Sequence, residues 1–179
     1  GSVIALVSLG QATQKSIQNQ IQSLGSNLLT VQPGAINEGG VRGASGGRTT
    51  LTLDDAKAIA SSPQITTIQT VSPELSRRSQ VTAGGNNTNT QIVGVAPQYA
   101  SVHNVSIDSG QFISELDNDT LNRVAVLGPQ VVVDLFGENT NPIGQTIRIN
   151  KQSFTIIGVT LAKGGSGFNN QDDIIYVPL

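Results

Sequence analysis

The sequence predicts an α+β domain, in which helices and strands both precede Ala96 and short strands dominate after it. Two observations support this fold class. Apolar residues recur with helical spacing in residues 11–24 and 53–60. From Ala96 onward, short runs rich in Val and Ile are separated by Gly, Pro and Asn, which is typical of strands joined by turns. A change in secondary structure is therefore expected near Ala96.

The chain begins with an apolar run, residues 3–9, that has neither the basic region nor the cleavage site of a signal peptide. The run is too short to cross a bilayer, which takes about 20 residues in a helix. It is either the start of a buried strand or helix, or the outer end of a transmembrane helix. The second interpretation is favoured because Ile17, Ile21 and Leu24 place one apolar stripe on a helix that follows directly.

Gly25 is a natural end for that helix. Residues 28–31 are predicted to form a buried strand, which Pro33 and Gly34 close. Residues 35–48 are Gly-rich and without periodicity, so a loop is expected there.

The second helix is predicted over residues 53–60. Thr52 is a suitable N-cap, and Asp54 and Asp55 fall in the first turn, where the helix dipole favours carboxylates. Pro63 ends the helix, and residues 65–71 are predicted to form a strand.

The remaining elements are predicted from apolar runs and the turn residues between them. Gly94 and Gly158 interrupt two of these strands, which indicates a kink or close packing at both positions. The predicted elements are strands 75–83 and 88–95 across a turn at 84–87, strand 124–127, helix 129–136, a hairpin of strands 146–149 and 154–157 that turns at Asn150 and Lys151, and strand 174–177.

Composition excludes several classes of function. Hydrophobic residues make up 37% of the chain, enough for a core, but charged residues only 12%. Binding to nucleic acid phosphates needs clustered Lys or Arg, and no such cluster occurs, so nucleic acid is not an expected partner. There is no cysteine, which excludes disulfides, zinc–thiolate sites and thiol catalysis.

One motif matches that of serine hydrolases. Residues 43–47 fit G-x-S-x-G, with Ser45 as the nucleophile and His103, the only histidine, as the available base. The motif requires a strand before it and a helix after it, whereas Ser45 lies in the Gly-rich loop. A chance match is the preferred interpretation, and His103 is predicted to be a hydrogen-bonded loop residue.

Two acidic clusters are candidates for metal or acid–base sites. Asp117 to Asp119 begin like an EF-hand loop, but Asn122 and Gly128 occupy the positions that need Gly and Glu. A weak divalent site that includes Glu115 stays open, and a solvated acidic loop is favoured. Asp172 and Asp173 are expected to point to opposite faces of a strand, which separates them as a catalytic pair. No catalytic, cofactor-binding or metal-binding residues are therefore predicted.

A series of short segments gives the chain a family pattern. It includes Ser8-Leu9-Gly10-Gln11, Val93-Gly94-Val95-Ala96-Pro97 and Pro142-Ile143-Gly144-Gln145-Thr146-Ile147. In order, the segments are 8–11, 21–24, 25–34, 53–56, 71–73, 93–99, 110–113, 124–128, 135–137, 142–147, 154–159 and 173–179. Together they resemble the periplasmic core domain of MacB-type ABC transporter permeases over nearly the whole chain.

The resemblance implies an α/β porter-like lobe, residues 1–95 with about 170–179, into which a mostly-β lobe, residues 96–169, is inserted. Residues 1–9 would end the first transmembrane helix. The membrane-proximal lever would then comprise Leu9, Gly10, Ile17, Ile21 and Leu24. The lobe would be incomplete at its C-terminus if a return segment to the membrane follows Leu179. About 20 apolar residues are expected before Gly1, and further membrane spans after Leu179.

The resemblance also implies the setting and the partners. The domain would lie on the extracytoplasmic face of the bacterial cell membrane, in the periplasm where there are two membranes. It would couple ATP-driven helix motion to export and would itself not be an enzyme, because ATP would be hydrolysed in a separate cytoplasmic domain. No cofactor is implied. The partners would be a periplasmic adaptor protein, an outer-membrane channel and a second permease copy.

Two alternatives stay open at this point. Permeases of the lipoprotein-releasing and FtsX-like groups share the implied architecture. An extracytoplasmic ligand-binding module is the other alternative, but it needs a concave apolar pocket, and aromatic residues make up only 3% of the chain.

Overall fold

The computed structural model describes residues 28–33, 51–164 and 171–179, together with the backbone of residues 37–38 and 41–42. The predicted first helix, residues 11–24, and most of the predicted loop 35–48 lie outside these ranges. Within them, no helix has both the length and the apolar character that crossing a membrane requires.

The described residues form four helices and nine strands. The helices are α1 (Leu53–Ser61), α2 (Tyr99–Val102), α3 (Glu115–Asp119) and α4 (Pro129–Phe136). The strands are β1 (Asn37–Glu38), β2 (Val41–Arg42), β3 (Glu74–Ala83), β4 (Asn86–Val95), β5 (Ile107–Gly110), β6 (Val124–Leu127), β7 (Thr146–Ile149), β8 (Gln152–Thr160) and β9 (Ile174–Pro178).

Seven of the strands form one mixed sheet in the order β5-β8-β6-β9-β4-β3-β7. Because β7 pairs with β8 as well as with β3, the six strands from β8 to β7 close on themselves. Strand β5 extends this closed sheet by pairing with the last residues of β8, where Ile107 lies opposite Thr160. Closure removes most of the exposed strand edges of the sheet.

The closed sheet has a hydrophobic cluster on each face. All six strands contribute to the interior cluster, which also contains Val131 and Leu135 of α4. The second cluster lies on the outer face, where Val93, Val95 and Tyr176 pack against Tyr99 of α2 and Ile113. Alternation along the strands sends successive residues to the two clusters, and Ile92 and Val93 show this directly. Both faces of this sheet are therefore packed.

Both predicted hairpins are confirmed, and each turns over two residues; the first turn is shorter than the predicted 84–87, because Asn86 and Asn87 belong to β4. Gly84 and Gly85 join β3 to β4 with φ values of 54° and 103°. Asn150 and Lys151 join β7 to β8 with φ values of 48° and 69°. Two positive φ values are typical of the type I′ turn, which matches the twist of the two strands.

The predicted close packing at the two strand glycines is also confirmed. Strand β8 has a bulge, because Ala125 of β6 pairs with Ile156 and the next residue, Val126, pairs with Gly158. The bulge lets Ile156 and Val159 both face the interior cluster. At Gly158 the Gln111 backbone takes the space that a side chain would fill. At Gly94 the Leu179 side chain is the near neighbour.

Helix α1 agrees with its prediction over nearly its whole length. Thr52 is its N-cap, and its side chain accepts a hydrogen bond from the Asp55 backbone N–H. The Asp55 carboxylate in turn accepts from the Thr52 backbone N–H at 2.7 Å, which completes a capping box.

Two predicted strands are wrong. Residues 28–31 form no strand, and Leu29 is 81% exposed. Residues 65–71 form no strand either, because their apolar side chains are three positions apart and do not alternate along one face; Ile65 and Ile68 are both exposed. The predicted loop 35–48 contains the short paired strands β1 and β2.

The division into a porter-like lobe and an inserted lobe stays a prediction, since much of the first lobe lies outside the described residues. The sheet itself runs across the expected boundary at Ala96. Strands β3 and β4 precede this residue and pair with β7 and β9, which follow it.

Candidate functional site

The predicted lever residues, Leu9, Gly10, Ile17, Ile21 and Leu24, all lie outside the described residues. So does Ser45, the candidate nucleophile. Their roles stay predictions. The described part of the chain does contain His103, the two acidic clusters and the end of the sheet where β3 begins and β9 ends.

His103 follows α2, and its backbone N–H donates to the Tyr99 carbonyl oxygen at 2.9 Å. Its ring stacks on the Tyr99 ring, with the centroids 4.0 Å apart. Its Nε2 atom lies 3.6 Å from Oε2 of Glu74, the first residue of β3. His103 was predicted to be a hydrogen-bonded loop residue, and its backbone does form a hydrogen bond just after α2. Its imidazole packs between α2 and the start of β3.

A second set of contacts joins the same region to the loop before β9. The Lys163 ammonium donates to the His103 carbonyl oxygen at 2.7 Å. The backbone N–H groups of Lys163 and Gly164 donate to the Asp172 carboxylate at 2.8 and 3.1 Å. We call Glu74, Tyr99, His103, Lys163 and Asp172 the His103 cluster. It connects the start of β3, helix α2 and the two ends of the loop between β8 and β9.

The surroundings of His103 lower the pKa of its imidazole. Burial is the main cause, because it disfavours the charged form. The Glu74 carboxylate acts in the opposite direction, and the Lys163 ammonium lowers the pKa further. At neutral pH, His103 in the folded domain is therefore mainly in its neutral form.

This pKa shift predicts a loss of stability in mild acid. The folded-state pKa lies below that of the unfolded chain, so the unfolded chain takes up the proton first as the pH falls. The stabilising contribution of His103 is thus present above about pH 6.5 and is lost as the pH falls through the folded-state pKa. Because His103 is the only histidine, its pKa can be read directly from one imidazole signal in an NMR titration.

We expect that pKa to lie below about 6.5 and to fall further in Glu74→Gln, which removes the carboxylate that raises it. Thermal unfolding of His103→Gln serves as the control. Between about pH 7.5 and 5.5 its melting temperature should fall less than that of the wild-type domain. A wild-type imidazole pKa above the unperturbed value would contradict this prediction.

The acidic segment 117–119 belongs to α3, so the favoured expectation of a solvated loop is wrong there. Ser114 is the N-cap, and its hydroxyl accepts from the Asp117 backbone N–H at 3.2 Å. The Asp117 carboxylate accepts from the Ser114 backbone N–H at 3.0 Å, and this capping box lowers its pKa. Ser114 and Asp117 are spaced as a capping box requires, which was the signal in the sequence for this helix.

Asp172 and Asp173 precede β9, and Asp172 anchors the loop before this strand. One carboxylate oxygen of Asp173 is buried and has no hydrogen-bond partner among the described residues. In the part of the chain that the structure describes, no three His, Asp or Glu side chains are grouped so that they could hold a metal ion.

One row of residues crosses the sheet at the end where β3 begins. Glu74 of β3 pairs with Val95 of β4, and Val95 pairs with Pro178 of β9. We call these three residues the junction row. The start of β3 and the end of β9 are thus separated by one strand, or about 10 Å at the usual spacing between strands. Beyond the row, the Leu179 backbone N–H donates to the Asn118 side-chain oxygen at 3.0 Å.

An open depression of about 460 Å³ lies beside the β3–β4 turn. Its lining is a mixture of polar and apolar surface and includes Thr82, Asn87, Thr146 and Arg148. It is not the enclosed apolar pocket that a strong site for a small ligand requires.

Comparison with known proteins identifies the family. Residues 1–179 match the family model of the MacB-like periplasmic core domain. The chain is 43% identical over 178 residues to the macrolide export ATP-binding/permease protein MacB of Bdellovibrio bacteriovorus. This alignment covers 99% of the chain and 27% of that protein. The chain is 35% identical to the protein of the same name from Azoarcus, again over 99% of the chain and 26% of that protein. The chain thus spans about a quarter of the length of these relatives.

Solved structures agree with the fold. The periplasmic region of MacB from Actinobacillus actinomycetemcomitans matches with a TM-score of 0.68 and 26% identity, over 88% of this chain and 67% of that one. The extracellular domain of the transporter YknZ from Gram-positive bacteria matches with a TM-score of 0.62 over 72% of this chain and 62% of that one, and at 18% identity it supports the fold alone. The predicted α+β class is confirmed. The chain belongs to the MacB-like periplasmic core domain family and is the periplasmic domain of a MacB-type ABC transporter permease.

Proposed function

We propose that this domain couples ATP-driven motion of transmembrane helices to export and docks a periplasmic adaptor protein. The observation that carries the coupling is the junction row. The start of β3 and the end of β9 both pair with Val95, so displacement of the chain at either point acts on the same end of one sheet. A body that is held at one end in this way moves as a unit when its attachment moves.

The packing of the sheet supports this role. A closed sheet with a core on each face deforms little, because packed interiors have low compressibility and transmit strain. The chain segment 1–24, with Leu9, Gly10, Ile17, Ile21 and Leu24, would form the lever between the membrane and the domain. The second permease copy and an outer-membrane channel complete the proposed assembly.

We propose no catalytic role for the domain. His103 stacks on Tyr99 with its Nε2 atom 3.6 Å from the Glu74 carboxylate, and Asp117 and Asp172 accept backbone hydrogen bonds. These contacts give the candidate residues structural uses. The depression beside the β3–β4 turn is open and partly polar, which favours the coupling role over a ligand-binding module. Macrolides are the proposed substrate, because the names of the relatives state macrolide export.

The test breaks the lever in the full-length parent transporter. Insertion of Gly-Ser-Gly-Ser between Gly25 and Ser26 makes the connection flexible and should uncouple the domain from the membrane helices. We expect macrolide export from cells to fall by about tenfold or more, the scale of a typical coupling energy, while ATP hydrolysis continues.

The control places the same insertion between Gly84 and Gly85, at an exposed turn where a Cβ atom added to either glycine would meet no other atom within 4 Å. This variant should export as the wild type does. If the variant with the insertion between Gly25 and Ser26 exported macrolides as well as the wild type does, the lever would not transmit motion. A wild-type transporter that fails to export macrolides would instead exclude the proposed substrate.

A further inference from the structure

Helix α3 ends with a leucine in an unfavourable conformation. Leu121 follows the C-cap Thr120 and has a φ of 48°. Its backbone N–H donates to the Asn118 carbonyl oxygen at 3.2 Å, and that of Asn122 donates to the Asp117 carbonyl oxygen at 2.9 Å. This is the Schellman arrangement, in which the position of Leu121 usually holds Gly or occasionally Asn. A leucine there strains the backbone.

Among the described residues, the Leu121 side chain has little burial that could offset this strain. Leu121 is 67% exposed, and Leu116, at the other end of the helix, is 69% exposed. An apolar side chain held in a strained and exposed position is an outlier of the kind that points to a functional contact.

The charges around the two leucines restrict what can cover them. Residues 114–121 contain the carboxylates of Glu115, Asp117 and Asp119 and no Lys or Arg, and the nearest cation in the sequence is Arg123, two residues after Leu121. Glu115 and Asp119 are both exposed, and Asp117 is half-buried. An anionic lipid surface would be repelled by them. A second copy of the same surface would bring like charges together across a twofold axis. A partner with Lys or Arg around an apolar group would be complementary.

The helix is also held firmly enough to transmit a contact. The capping box fixes its start, and Asn118 accepts the hydrogen bond from Leu179, the residue after the junction row. A partner on α3 would thus contact the part of the sheet at which we propose that motion enters.

We infer that Leu116, Leu121, Glu115 and Asp119, the α3 surface, dock a protein segment that presents an apolar side chain bordered by Lys or Arg. The inference rests on the proposed function, in which the docked protein is the periplasmic adaptor. The inference adds the location of the contact, on α3, and the chemistry of the adaptor residues that would meet it.

The decisive variant is Leu121→Gly, tested in the full-length transporter with the periplasmic adaptor protein purified from the same organism. Glycine removes both the strain and the apolar side chain, so the domain should melt at a higher temperature than the wild type. Adaptor binding should weaken by about tenfold or more, as expected for loss of a central apolar contact. Replacing Glu115 and Asp119 with Lys should weaken binding as well, most strongly at low salt.

Lys151→Gly is the matched control. Lys151 also has a positive φ, 69°, in the turn between β7 and β8. Its substitution should raise the melting temperature in the same way and leave adaptor binding unchanged. If the wild type binds the adaptor and Leu121→Gly binds equally well, the α3 surface is not the docking site and the proposed function stands. If the wild type binds no adaptor, both the inference and the proposed docking role fail.

Discussion

Gly158→Ala is expected to lower the free energy of unfolding by more than about 4 kcal/mol, enough to leave much of the domain unfolded. A Cβ atom at this position would overlap the Gln111 carbonyl oxygen and lie 3.1 Å from both the carbonyl carbon and the amide nitrogen of that residue. These are backbone atoms, which cannot rotate away as a side chain does. The Gln111 N–H also donates to the Ile157 carbonyl oxygen at 3.0 Å, so relief of the overlap would break this bond.

Urea unfolding followed by circular dichroism measures the effect, and Gly94→Ala is the control. Gly94 is also a strand glycine, but a Cβ atom there would meet the flexible Leu179 side chain, with its Cδ1 atom at 3.1 Å. Movement of that side chain should limit the loss to about 1 kcal/mol. If both variants lost the same free energy of unfolding, contact with the Gln111 backbone would not be the reason that position 158 needs glycine.

The elements that could be predicted from the sequence are those with local signals. The two hairpins were found because apolar strands flank turn residues that tolerate a positive φ. Helix α4 was found because Pro129 opens its apolar pattern and Gly137 follows it. The helices α2 and α3 and the strand β5 were missed, since each has five residues or fewer and little periodicity.

Closure of the sheet could not be predicted in the same way. It depends on β7 pairing with β3 as well as with β8, a contact between residues far apart in the chain, such as Val81 with Ile149. No local pattern specifies which distant edge a strand will join. The failed strand at 65–71 has a local cause instead, because its apolar residues are three positions apart and do not alternate along one face.

The candidate site shows the same difference between local signals, which the sequence contains, and contacts between distant residues, which it does not reveal. The local argument that Asp172 and Asp173 point to opposite faces of a strand does not apply in the structure, because both residues precede β9. The sequence could not place Glu74 beside His103, because the intervening chain brings them together only through the sheet and α2. The strain at Leu121 was also hidden, since a positive φ at a leucine contradicts the local preference from which a prediction would be made.

Leu135→Ala is expected to lower the free energy of unfolding by about 3 kcal/mol, the usual cost of removing a large side chain from a packed core. Leu135 is 2% exposed and belongs to the interior cluster, to which α4 contributes. Its carbonyl oxygen also accepts from the Asn86 side chain at 2.9 Å, which ties α4 to the start of β4. In thermal unfolding the melting temperature should fall by roughly 6–12 °C for a domain of this size.

Val133→Ala is the control on the same helix. Val133 is 41% exposed, and alanine favours the helix more than valine does, so the change should be within about 0.5 kcal/mol of zero. The difference between the two variants then measures how much of the stability of the closed sheet depends on α4 filling one side of it. If Leu135→Ala cost no more than Val133→Ala, the interior cluster would be loosely packed. A loosely packed domain would absorb a displacement at the junction row before passing it on, and the proposed coupling of helix motion to export would lose its physical basis.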